Sequence, residues 1–251
     1  DWAWASQIES QSRLKVYNKW MPQIHVDFHE QGINSPYYFA PAAEPYHELI
    51  TDWQRDFQFK IGRNHAKYFD QKGWLYFTRE NFDLLYPSYG DTYPTYLGAV
   101  GMTYEQAGSG RGGLGILKKE GDLLTLVDRV KHHTTTGIST VETASKNAQN
   151  LNNEFKKFFD NTQLKYKSFI LSGNTKKINA LKLLLDKHNI SYGYAVNKSV
   201  SGHKYSTNTI GSIEASSKDL VISTNQPKGK LVKALFEPSA KLSDSLTYDI
   251  T

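Results

Sequence analysis

Residues 97–106, which end in Met102-Thr103-Tyr104-Glu105-Gln106, form an apolar run that closes on a carboxylate. A run of this length and character reads as a buried strand. Glu105 at its end is costly unless it is paired, hydrated or functional. Desolvation raises the pKa of such a carboxyl, which suits a general base. A structural carboxylate paired with an arginine or lysine is the competing reading.

A second strand pattern lies upstream, over residues 22–28. Ile24, Val26 and Phe28 alternate with His25, Asp27 and His29, a period of two. The strand runs directly into His29 and then into a glycine-bearing loop, Glu30-Gln31-Gly32. Open α/β sheets place ligands at the carboxyl ends of their strands. Imidazole there suits zinc, with a nearby carboxylate orienting the ring. The plainer alternative is a hydrogen-bonded histidine at a strand end. His25 and His29 do not reach one metal together, because four strand residues span about 13 Å at roughly 3.3 Å each.

Other histidines carry less. His47-Glu48 begins like the H-E-x-x-H motif, but Thr51 stands where its second histidine belongs. His132 and His133 are adjacent, so their side chains diverge, and they read as surface or packing residues. The run Gly108-Ser109-Gly110-Arg111-Gly112-Gly113 fits G-x-G-x-x-G. The polar turn Lys118–Asp122 follows where a dinucleotide site needs a helix, which rules that reading out. A loop beside the site is the better reading, with Arg111 placed to contact an anionic substrate group. No G-x-S-x-G elbow occurs.

The periodicity predicts helices over 5–19 and 45–69, the latter with Pro45 near its first turn, and an irregular Tyr/Pro/Gly segment over 84–95. Turns are expected over 108–121 and a helix from near Asp122. Val141, Ala144, Ala148, Leu151, Phe155 and Phe158 form one apolar stripe, capped by Ser139 or Thr140. Beyond residue 162 the pattern becomes β-α-β: a strand Ser168–Ser172, a helix Lys176–His188 and a strand Ile190–Val196. A further strand is predicted at Leu220–Thr224 and a short helix at Gly229–Phe236. The expected fold class is α/β, in a larger part over 1–162 and a smaller one over 163–251.

Composition narrows the function classes. The absence of cysteine excludes disulfides, zinc-thiolate sites and a cysteine nucleophile. No apolar run reaches the length of a membrane span, and no signal peptide is recognisable. Residues 1–120 hold 12 Lys and Arg against 14 Asp and Glu, and residues 121–251 hold 18 against 11. The lysines of the basic half are scattered without an arginine cluster, so they read as a solvated surface and not a nucleic-acid site.

Asp27-Phe28-His29-Glu30 and Thr103-Tyr104-Glu105 resemble the later motifs of the zinc metallocarboxypeptidases, or funnelins, nearest to the large bacterial enzymes of the Bacteroidetes type. The resemblance covers roughly residues 1–150, and the 76 positions from His29 to Glu105 are close to the family's interval. It implies the C-terminal half of a mixed-sheet carboxypeptidase domain, followed by a partial α/β domain. It also implies zinc, a peptide substrate and removal of C-terminal residues outside the cytoplasm, in the periplasm or after secretion. His29 then corresponds to the third zinc ligand and Glu105 to the general base. Thr103 lines the specificity pocket, and the mobile tyrosine is Tyr86, with Tyr89 as the alternative. The family's first two ligands, in H-x-x-E, and its Asn-Arg pair for the substrate carboxylate belong upstream. Asp1-Trp2 resemble the residues just after that pair, so the chain is expected to begin inside the catalytic domain and to be inactive alone. Its close at Asp249-Ile250-Thr251 is expected to cut the second domain. Two other readings stand beside this one. A degenerate peptidase fold could bind peptide or glycan through its tyrosines. Residues 165–251 resemble the glutamine-amidotransferase-like or flavodoxin-like domains that accompany such peptidases, with a turn at Gly173-Asn174-Thr175 as the place for a small molecule.

Overall fold

The computed structural model describes residues 2–108, 111 and 113–241. The described chain is mixed α/β, with seven helices and several separate sheets, none closed into a barrel. It divides into two compact units, one of residues 22–156 and one that joins 2–21 to 157–241. Residues 2–21, placed by sequence with the first part, therefore group with the second. Their helix α1 (Ile8–Trp20) buries Leu14 and Tyr17 and exposes Ile8 and Val16.

The unit of residues 22–156 is built on a four-stranded sheet. Its strands are β1 (Ile24–Gln31), β2 (Tyr37–Tyr38), β4 (Tyr76–Phe77) and β6 (Val100–Ala107), in the order β1-β6-β2-β4. The strand β3 (Ala43–Tyr46) pairs separately with β5 (Asp83–Leu84). Pro45 thus lies in a strand, contrary to the helix predicted from residue 45. The helix α2 runs Asp52–Lys72 because Thr51 and Gln54 form a reciprocal cap: Gln54 N–H donates to Thr51 Oγ1 (3.2 Å) and Thr51 N–H to Gln54 Oε1 (3.0 Å). Gly73, at φ 65°, ends it. Phe57, Ile61 and Phe69 put one apolar face of α2 onto Val100, Met102 and Tyr104 of β6.

After the short helix α3 (Thr92–Thr95) and β6, the strands β7 (Gly115–Leu117) and β8 (Leu123–Thr125) make a hairpin where a helix from Asp122 was expected. The helix α4 begins only at Leu126 and runs to Lys146, because Thr125 and Asp128 form the capping box. Ser139 and Thr140, expected as caps, sit deep inside α4. Ser139 Oγ lies 2.7 Å from His65 Nδ1, and Thr140 Oγ1 2.7 Å from Tyr104 Oη. The predicted single stripe over 141–158 is broken at Asn147, after which α5 (Ala148–Phe158) follows. Val141 points to solvent, while Leu151 and Phe158 are buried.

In the second unit β9 (Ser168–Leu171), α6 (Thr175–Lys187) and β10 (Gly193–Tyr194) follow the predicted order. The strand β13 (Leu220–Ser223) lies between β9 and β10, antiparallel to both. The turn at Asn174 is a helix cap, its Oδ1 accepting from Lys177 N–H at 3.0 Å. A hairpin of β11 (Lys198–Lys204) and β12 (Thr209–Ala215) has no counterpart in the sequence reading, because its residues are mostly polar and exposed. The helix α7 (Gly229–Phe236) closes the described chain. Among the described residues no helix is long and apolar enough to cross a membrane.

Candidate functional site

The strands β1 and β6 run parallel, and their register pairs Asp27 with Thr103 and His29 with Glu105. Alternate residues of a strand share a face, so these four side chains rise from one side of the sheet. The opposite side carries Phe28 and Tyr104, whose rings meet at 5.5 Å. The alternation that hides Tyr104 among α2 and α4 is what delivers Glu105 to the other surface.

That surface holds a cavity of about 350 Å³ lined by His29, Asn81, Phe82, Asp83, Tyr89, Gly90, Asp91, Thr103 and Glu105. Three of these residues are acidic and none is Lys or Arg. Glu105 is buried, and its Oε2 has no hydrogen-bond partner. Its pKa is pushed up to about 7, first by burial and then by the charges of Asp27 and Asp91, while His29 pulls it down. Across from it, His29 is about half exposed. Its Nε2 lies 3.0 Å from Asp27 Oδ2 and its Nδ1 3.9 Å from Glu105 Oε1. The Asp27 carboxylate on Nε2 orients the ring and turns Nδ1 toward Glu105.

Asp91 is the residue that sequence reasoning missed. It is buried at the start of α3, and its pKa rises to about 6, first through burial. Thr103 Oγ1–H donates to Asp91 Oδ2 at 2.9 Å, and Thr92 Oγ1–H to Oδ1 at 3.2 Å. Thr103 therefore faces the cavity with its hydroxyl committed to Asp91. Gly90 completes the wall. A Cβ there would fall 1.6 Å from Asp27 Oδ2, so only glycine lets this loop approach the carboxylate that orients His29. The cue in the sequence is Tyr89-Gly90-Asp91, where a glycine separates an aromatic from an acid.

The remaining predicted residues are placed as follows. Tyr89 lines the cavity. Tyr86 does not, but its ring meets that of Tyr89 edge-on at 5.2 Å. Arg111 is exposed, its N–H donating to Gly108 O at 3.0 Å, and it is not among the lining residues. Ser109, Gly110 and Gly112 of the glycine run lie outside the described residues, as do Asp1 and Asp249-Ile250-Thr251. His47 accepts from Leu49 N–H, and His132 and His133 contact Gln106 and Tyr37, all away from the cavity.

Among the described residues no three His, Asp or Glu side chains converge as a metal-binding group. No protein-family model, curated protein or solved structure matches the chain.

Proposed function

We propose that this chain carries part of the active site of a zinc-dependent carboxypeptidase. The carrying observation is that Glu105, buried with one oxygen unpartnered, faces His29 Nδ1 in one cavity. The fit to zinc is partial and specific. His29 supplies one imidazole nitrogen and Asp27 the carboxylate behind it, which suits one position of a tetrahedral N/O site. The reading needs further ligands, which no group of His, Asp and Glu among the described residues supplies. When bound, zinc supplies Lewis acidity that polarises the scissile carbonyl.

The chain's own residues do the proton chemistry. Glu105 takes a proton from the attacking water at Oε2, then delivers it to the nitrogen of the leaving amine. Its raised pKa suits that double role near neutrality, and a cation at His29 lowers it. Thr103 and Asp91 shape the wall that holds the terminal residue. Tyr89, backed by Tyr86, closes over the peptide, while Arg111, six residues beyond Glu105, stands outside the lining residues. The same resemblance extends the proposal to a location in the periplasm or outside the cell.

The test uses the full-length polypeptide and Glu105→Gln. Peptides with a free C-terminus are cleaved by the unaltered protein, and a loss of about 10²–10⁴-fold is expected in the variant with zinc content unchanged. Full activity in Glu105→Gln sinks the assignment. The absence of a three-ligand group among the described residues favours a second reading, a non-catalytic peptide- or glycan-binding module. Peptide binding without turnover or zinc in the full-length protein would select it.

A further inference from the structure

The unit that joins residues 2–21 to 157–241 contains a cleft of about 720 Å³, within the range of ligand sites. One wall is the whole of β9 with Lys165, Tyr166 and Lys167 before it. The other is Val200–Lys204 of β11 with Tyr205 and Ser206. Each of these strands has a single strand partner among the described residues, β13 for β9 and β12 for β11. Each therefore keeps one edge of backbone N–H and C=O groups unpaired by strand, which is a template for an added strand.

The chemistry of the walls is one-sided. Three lysines line the cleft, Lys165, Lys167 and Lys204, together with His203, and no Asp or Glu does. Lys167 is already anchored to Thr162 O at 2.7 Å, which holds its charge at the rim. His203 Nε2 is buried without a hydrogen-bond partner. Phe169 and Ile213 supply apolar surface between the charges.

We propose that this cleft binds an extended acidic peptide segment of a partner protein, added as a strand along β9. Strand addition gives affinity through main-chain hydrogen bonds and specificity through alternate side chains. A segment alternating acidic and apolar residues sets its carboxylates on the face shared by Lys165 and Lys167 and its apolar groups on the opposite face, beside Ile170. The cleft is independent of the His29–Glu105 site, so neither reading depends on the other.

The probe is a labelled ten-residue peptide alternating Asp with Val, titrated against the whole chain by fluorescence anisotropy. It is expected to bind at least tenfold more tightly than the same peptide with Lys for Asp. N-methylation of alternate amides is expected to weaken it tenfold or more, because strand pairing is lost. The double variant Lys165→Glu, Lys167→Glu should lose a further tenfold, with Lys204→Glu as a second variant if the first unfolds. Hydrogen exchange at residues 168–171 should slow on binding. Equal affinity for the acidic and basic peptides, indifference to N-methylation, tighter binding of a single-stranded oligonucleotide, or no binding would each overturn the proposal.

Discussion

Two of the molecule's clefts are opposites in charge. The smaller one holds Asp83, Asp91 and Glu105 without a lysine or arginine, and the larger holds Lys165, Lys167 and Lys204 without an acid. They also differ in how the charge is held. Asp91 and Glu105 are buried, so their protonation is set first by desolvation and then by their neighbours, with Asp27 raising both pKa values and Asp91 raising that of Glu105. The lysines stand at a rim beside strand edges, where water screens them. Buried acids suit proton transfer or a tightly held cation, whereas rim lysines suit steering of a partner.

Several changes break or sharpen that contrast. The largest effect is expected from Gly90→Ala. The new Cβ displaces Asp27, so zinc affinity of the full-length protein should fall about 10–100-fold through loss of His29 orientation. Stability should drop by roughly 1–3 kcal/mol from overpacking. Calorimetric zinc titration and a denaturant melt read the two effects, and neither should alter peptide binding in the lysine cleft.

Ionic strength separates the clefts in the other direction. Raising salt from about 0.05 to 0.5 M should weaken acidic-peptide binding by roughly tenfold, while zinc content stays constant. If both respond alike, the distinction between buried and rim charge is wrong.

The acids also leave a mark on stability. Asp91 and Glu105 have raised pKa values, so the folded state holds protons that the unfolded chain has lost. That contribution is full below the ordinary carboxyl pKa and disappears as pH rises through about 6 and 7. Asp91→Asn removes its share, on the order of 1–3 kcal/mol. The melting temperature of the variant should therefore fall less between pH 4 and pH 7.

The smallest effect lies outside both clefts, in α4. This helix buries Thr136, Ser139, Thr140 and Thr143 and exposes Val127, Val130, Ile138 and Val141. Val141→Ser should change stability by no more than about 0.5 kcal/mol. Ser139→Ala removes the hydroxyl partner of the buried His65 Nδ1, while Asn64 keeps Glu142, and should cost about 1–3 kcal/mol in a denaturant melt.

That helix also shows where the sequence stopped being legible. The helix α2 follows hydropathy, with Phe57, Ile61 and Phe69 on its buried face, and only its start was misplaced by Pro45. The helix α4 inverts the rule because Tyr104, His65 and Tyr37 need hydroxyl partners beneath the sheet. No periodicity of apolar residues encodes that pairing. The site divides the same way. His29 and Glu105 stand two residues inside the ends of β1 and β6, the first of which runs past the predicted residue 28 to Gln31, and local pattern sufficed to pick them out. Asp91 acts through Thr103, twelve residues away, and through a close approach at Gly90, and only the fold brings these together.

The central proposal is that Glu105 carries a proton beside a cation site. Carbon-13 NMR titration of its carboxyl, with and without zinc, reads that directly. An apparent pKa near 7 that drops when zinc is added, and does not drop in His29→Ala, is the predicted result. A pKa near the ordinary 4.5 that zinc leaves unmoved would contradict the account.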